Sequence, residues 1–289
     1  MTAQTYKFED PRVALRRHGF RPKHSWGQNF LVSQKAVHVI AVCAAPDTSR
    51  QDHVIEIGAG VGTLTAALLA QNAHVIAIER DRDMCRVLRS DFGAHSAFEL
   101  KEADAAKVDY GALLADRRGV IAGNLPYQLT GKLLRAIINV SHHLKRAIVM
   151  VQEEVANRII AAPGDRSRGA LSAIVQSRFE VSTLIRLKPS AFHPPPKIRS
   201  AVLCLTPHPQ AQSPFVTLAS PEAFDALVNA AFTSRRKTLK NSLRASKIAS
   251  PDEIEPWLRR ADIDPTIRPE RLTQADFIRL LSTRTIPRE

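Results

Sequence analysis

The sequence predicts an α/β fold, a doubly wound parallel sheet followed by a small helical domain, and three observations support this. Short apolar runs alternate with helical patterns from about residue 33 to residue 160. A glycine-rich turn, Gly58-Ala59-Gly60-Val61-Gly62, joins one such run to a helical pattern. Beyond residue 207 only helical periodicity continues. The expected division is therefore an α/β domain over residues 1–206, with a basic leader, and a helical domain over 207–289.

Taken in order, residues 1–11 read as a leader and 11–18 as a short basic helix stopped at Gly19. The loop from Lys23 to Leu31 mixes amides with Trp26 and Phe30. Those two rings either pack the leader onto the core or leave Gln28 and Asn29 to close over a ligand. An amphipathic helix follows over 33–45. Residues 53–57, 74–78, 97–100, 119–122 and 147–151 read as strands, with helices over 63–70 and 82–90 and from about Gly131. Helices are expected over 152–160 and 169–179, joined by a basic loop carrying Arg166 and Arg168, then strands over 181–187 and 201–205. The link between those two strands is stiffened by Pro194, Pro195 and Pro196 and carries Phe192 and Lys197. Pro221, Pro251 and Pro265 each mark an expected helix start. Val228, Phe232, Leu239 and Leu243 make one apolar stripe of a helix, with Arg236, Lys240, Arg244 and Lys247 in a basic stripe beside it.

The 289 residues carry 41 Lys and Arg against 28 Asp and Glu, a formal charge of +13. A polyanionic partner is the first expectation. Residues 33–140 hold twelve basic and twelve acidic side chains, whereas 141–206 hold ten and four. Basic segments thus bracket a neutral centre, which suits a small cofactor inside and a long polyanion outside. Cys43, Cys85 and Cys204 form no C-x-x-C and the histidines no H-E-x-x-H, so no metal is expected. No apolar run reaches membrane length, and a cytoplasmic monomer is expected.

Ligands of such a sheet bind at the carboxyl ends of its strands, where the glycine turn, Glu79, Asp104 and Asn124 would all lie. Asn124-Leu125-Pro126-Tyr127 suits a flat nitrogenous base. Asn124 offers a carbonyl acceptor to an exocyclic amine, Pro126 stiffens the loop and Tyr127 supplies a stacking face. Glu79 at a strand end can accept both hydroxyls of a ribose. The final glycine of the turn comes one residue early for a dinucleotide fingerprint.

The combination resembles the class I S-adenosylmethionine-dependent methyltransferases, with their Rossmann-like sheet. That resemblance implies Gly58 and Gly60 beside the amino-acid part of the cofactor, Glu79 on its ribose and Asp104 on its adenine. Asn124-Leu125-Pro126-Tyr127 is similar to the signature of adenine amino-methylating enzymes. Further blocks are Gly27-Gln28-Asn29-Phe30-Leu31, Val151-Gln152-Glu153-Glu154-Val155-Ala156, Phe192-His193-Pro194-Pro195-Pro196-Lys197 and Ala231-Phe232-Thr233-Ser234-Arg235-Arg236-Lys237-Thr238-Leu239. With them the chain resembles the ribosomal small-subunit RNA adenine dimethyltransferases, over about residues 23–277. Ala59, Gln128-Leu129-Thr130 and Arg199 depart from the usual family residues.

The resemblance implies N6-dimethylation of two adjacent adenosines near the 3′ end of small-subunit (16S) ribosomal RNA during ribosome biogenesis. Asn124, Leu125, Pro126, Tyr127 and Phe192 would form the base site, with Phe192 stacking opposite Tyr127. Gln28, Asn29, Leu31, Gly58, Gly60, Glu79, Asp104 and Asn124 would line the S-adenosylmethionine site. Arg166, Arg168, Lys197, Arg235, Arg236, Lys237, Lys240 and Arg244 would meet RNA. Two other readings stay open at this point, a large-subunit RNA adenine methylase of the resistance type and a non-catalytic ribosome assembly factor.

Overall fold

The structure, a computed structural model, describes residues 8–23, 26–47, 49, 51–115, 117–209, 221–234 and 236–284. Arg235 lies outside the described residues. The chain forms two compact units, residues 1–156 with 181–207, and residues 157–180 with 208–289. Residues 157–180, assigned from sequence to the first domain, pack with the helices of the second unit.

In the first unit α1 (Pro11–Arg17) is capped by Asp10, and β1 (Phe30–Leu31) leads into α2 (Gln34–Ala44). Then β2 (His53–Ile57), α3 (Thr63–Ala70), β3 (His74–Glu79), α4 (Arg82–Phe92), β4 (Phe98–Glu102), α5 (Tyr110–Leu114), β5 (Gly119–Asn124), α6 (Thr130–Asn139) and β6 (Leu144–Gln152) alternate. These are the strands read from sequence, with β3 and β4 longer by one residue, β5 by two and β6 by four. They were legible because parallel strands are covered on both faces and so run apolar throughout: in β2 every residue after His53 is buried.

After α7 (Glu153–Ile160) and α8 (Ala170–Arg178), β7 (Phe179–Leu187), β8 (Phe192–His193) and β9 (Ser200–Pro207) complete the strands. The sheet order is β4-β3-β2-β5-β6-β9-β7. The pairs among β2 to β6 are parallel, while β9 runs antiparallel to β6 with Ser200 opposite Gln152. A Rossmann-like sheet with one antiparallel return is the result. The core packs α2 and α3 against the sheet through Val37, Ile40, Leu68, Val75, Val120 and Ile148.

One feature was invisible in the sequence. β1 and β8 form a two-stranded sheet, with Phe30 opposite His193 and Leu31 opposite Phe192. Two residues per strand carry no readable period.

The second unit contains α8, α9 (Pro221–Ala231), α10 (Leu239–Ser246), α11 (Pro251–Arg260) and α12 (Gln274–Ser282). Trp257 is buried and donates its Nε1–H to Leu280 O at 2.8 Å, while Phe224 and Phe277 meet edge to face at 5.9 Å. Reciprocal capping by Ser250 with Glu253 and by Thr273 with Asp276 starts α11 and α12. The single helix expected through Val228 and Leu243 is two helices, broken between Ala231 and Leu239. The first amides of α10 are satisfied from afar, Leu239 N by Ile267 O and Lys240 N by Pro265 O, so the chain need not stay helical to pair them. Val228, Leu239 and Leu243 are buried all the same. Pro265 is a second correction: it lies in a turn closed by Asp264 on Thr266 N, and the last helix starts at Gln274.

Candidate active site

The carboxyl ends of β2, β3, β4 and β5 open onto one pocket in the first unit. Gln28, Asn29, Leu31, Gly58, Gly60, Glu79, Asp104, Asn124, Leu125, Pro126 and Tyr127 all line it. Its floor is the glycine turn between β2 and α3. Gly60 has φ +57, and a Cβ there would lie 2.9 Å from Phe30 Cε1. The turn therefore passes close under Phe30 because position 60 has no side chain.

Glu79 secures that turn. Its Oε2 accepts Gly60 N at 3.0 Å, and its Oε1 accepts Arg80 N and Asp81 N at 2.8 Å. Burial pushes its carboxyl above the usual range, the backbone amides opposing that rise. Glu56 in β2 is deeper, 1 % exposed, and accepts Thr65 Oγ1–H at 2.6 Å. Burial, with Glu79 nearby, raises it to about 7. Asp104 accepts Ala106 N at 2.9 Å with one oxygen, capping a 3-10 turn at the pocket wall.

Asn124 closes β5. Its Nδ2 donates to Asn29 O at 3.1 Å, which fixes which way the amide faces. Among the described residues nothing donates to Asn124 Oδ1 or to Leu125 O. Leu125 N is tied to Met150 O at 3.1 Å and Pro126 O accepts both Leu129 N and Thr130 Oγ1–H, so the two remaining acceptors sit on a fixed backbone. Tyr127 is half-buried with its hydroxyl 2.9 Å from Ser200 Oγ, and burial raises its phenol.

Several sequence-based roles change. Gln28 lines the pocket but both ends of its amide are engaged: Oε1 accepts Lys23 N, and Nε2 donates to Asp81 Oδ2 at 2.6 Å. It holds the loop rather than offering a spare group. Phe192, expected to stack opposite Tyr127, is 3 % exposed and packs in the core, because pairing with Leu31 turns its ring inward. Arg168, expected on RNA, is 2 % exposed and donates to Ala161 O and Gln176 Oε1. Lys240 is ion-paired with Glu255. Arg166, Lys197, Arg236, Lys237 and Arg244 are exposed.

Other residues went unread. Asp81, 1 % exposed, anchors the loop through Lys23 and Gln28 and caps α4. Trp26 lies at the rim beneath the Arg80 guanidinium, 4.6 Å from its ring centre. Ser200 reaches Tyr127 from a strand 73 residues away in sequence, and no local pattern signals such a contact. Among the described residues no group of His, Cys, Asp or Glu is arranged to hold a metal, and no helix is long and apolar enough to cross a membrane.

Comparison with known proteins decides the family. The model of the ribosomal RNA adenine dimethylase family matches residues 19–283. The chain belongs to that family. It is 43 % identical over 286 residues to the ribosomal RNA small subunit methyltransferase A of Anaeromyxobacter dehalogenans (strain 2CP-C), covering 96 % of this chain and 98 % of that one. With the protein of the same name from Myxococcus xanthus (strain DK1622) it shares 38 % over 270 residues, 93 % of each chain. A crystal structure of a dimethyladenosine transferase from Plasmodium falciparum superposes with a TM-score of 0.74 at 26 % identity, over 88 % of this chain and 96 % of that one. As a member of this family the chain is a ribosomal RNA adenine methyltransferase.

Proposed function

We propose that the protein uses S-adenosylmethionine to dimethylate N6 of two adjacent adenosines near the 3′ end of small-subunit (16S) ribosomal RNA. The observation that carries this reading is the pair of unpartnered acceptors, Asn124 Oδ1 and Leu125 O, on a backbone held at both ends. Adenine's exocyclic amine has two N–H groups to give and a lone pair delocalised into the ring. Two fixed acceptors orient the amine and favour the pyramidal nitrogen that attack requires. Tyr127 stacks on the base once it is turned out of the RNA.

The residues of the pocket fit the cofactor. Glu79, buried and already holding Gly60, keeps lone pairs for ribose hydroxyls, and the close approach allowed at Gly60 makes room for the amino-acid end. Asp104, with one oxygen engaged in its cap, has the other for an adenine amine. When bound, the cofactor supplies an electrophilic methyl on a sulfonium. The chain itself excludes water with Leu125, Phe30 and Ile78, aligns the amine, and leaves the displaced N–H proton a path to solvent past exposed Pro126. Gln28 and Asp81 keep the wall formed by residues 26–31 in place. We assign Arg236, Lys237 and Arg244 of the second unit, and Lys197 of the first, to phosphate contact.

The test incubates the protein and S-adenosylmethionine with unmethylated small subunits and, separately, large subunits, followed by nucleoside mass spectrometry. Dimethyladenosine from small subunits alone is expected. Product from large subunits alone would select the resistance-type activity, and binding without product would select an assembly factor.

A further inference from the structure

Tyr127 is held by a bond that stacking does not need. A phenylalanine ring presents the same face to a base, yet here the phenol hydroxyl meets Ser200 Oγ at 2.9 Å, and Ser200 is fully buried at the start of β9. Tyr127 is the hydroxyl's only partner among the described residues, so each satisfies the other.

The strand end that carries Ser200 is itself fixed. Arg199 O accepts Glu153 N at 3.0 Å, and the Glu153 carboxylate pairs with Arg199 Nε at 3.2 Å and Arg186 Nη1 at 3.0 Å. Ser200 also sits opposite Gln152 in the β6–β9 ladder. By contrast the neighbours of Tyr127 on its own loop, Pro126 and Gln128, are exposed. Phe192, 3 % exposed, packs in the core. The hydrogen bond of the Tyr127 side chain thus runs to a residue on a fixed strand end.

We infer that Ser200 is a positioning residue for methyl transfer, acting through Tyr127 and mattering most for the second of two transfers to the same nitrogen. This rests on the adenine reading above. An unmodified amine offers two N–H groups to Asn124 Oδ1 and Leu125 O. After one transfer it carries a methyl and a single N–H, so at most one of those bonds survives. Stacking on Tyr127 then supplies a larger share of the hold, and a ring free to swing releases the singly methylated base before the second transfer.

The experiment compares wild type, Ser200→Ala, Tyr127→Phe and the double variant on unmethylated small subunits, measuring turnover, the ratio of monomethyl- to dimethyladenosine, and cofactor affinity by calorimetry. Loss of one hydrogen bond predicts about a tenfold fall in turnover for each single variant. The monomethyl fraction should rise in both, cofactor affinity should stay at the wild-type value, and the double variant should be no worse than either single one. A wild-type product ratio in both single variants, or effects that multiply in the double variant, overturns the inference. Should Ser200→Ala fail to fold, Tyr127→Phe reads the same bond from the other side. An inactive wild type on small subunits would instead remove the adenine reading itself.

Discussion

At the scale of single residues, the pocket sets two buried carboxylates against each other and gives them different partners. Glu79 is tied by three backbone amides, while Glu56 has one hydroxyl and is raised to about 7 from 4.5. The folded protein thus keeps the Glu56 proton to a higher pH than the unfolded chain does, so stability falls as pH rises from about 4.5 to about 7. Glu56→Gln, with the same shape and no charge, should flatten that slope and leave the variant at least as stable as wild type above pH 7. Chemical denaturation across pH 4 to 8 checks this, and an unchanged slope would mean that Glu56 titrates normally. The pocket's other assignments separate by calorimetry. Asn124→Ala should bind S-adenosylmethionine within about threefold of wild type and lose most turnover, since a transition-state contact is removed and little ground-state binding. Glu79→Ala should lose cofactor affinity by at least about tenfold, through both the ribose acceptors and the hold on Gly60. The reverse pattern would exchange the two roles.

At the scale of elements, the site was legible wherever its chemistry lay in a local pattern. The turn at Gly58, Gly60 and Gly62, with φ values of +71°, +57° and +82°, announces itself because these backbone angles favour glycine. Gly60→Ala should therefore weaken cofactor binding more than it lowers the melting temperature, since Phe30, partly buried above the turn, must move to admit the methyl. Equal, proportionate losses of both would show a general fault in the fold instead. Contacts made across long sequence distances were not legible. Nothing near Gln28 in the sequence says that Asp81 will take its amide, and nothing near Phe192 says that two residues of β1 will turn it inward. The helix break before Leu239 has the same origin, since its first amides are paired by the 265–267 turn. Residues 157–180 were placed by chain order, whereas α8 packs on α9, which follows more than forty residues later.

At the scale of the whole molecule, +13 overstates what is available to RNA. Arg168 is buried in its own loop, and Lys240 is held in an ion pair by Glu255, which also pairs with Arg259. Arg236 and Arg244 are exposed, and no ion pair engages either among the described residues. Binding to a polyanion loses affinity with salt in proportion to the phosphates neutralised, about 0.7 to 0.9 in log–log slope for each. Arg236→Ala with Arg244→Ala should therefore reduce the slope for small-subunit RNA by about 1.5 and weaken binding at low salt. Lys240→Ala should leave the slope near wild type, because its ammonium is held by Glu255. Arg168→Ala should lower the melting temperature by several degrees with no change in slope, since it removes the two hydrogen bonds made by Nη1 and no exposed cation. Titrations from 50 to 300 mM salt separate these outcomes. A slope change of about 0.7 to 0.9 for Lys240→Ala would mean that RNA pulls this lysine from Glu255, and the phosphate track would then extend along α10.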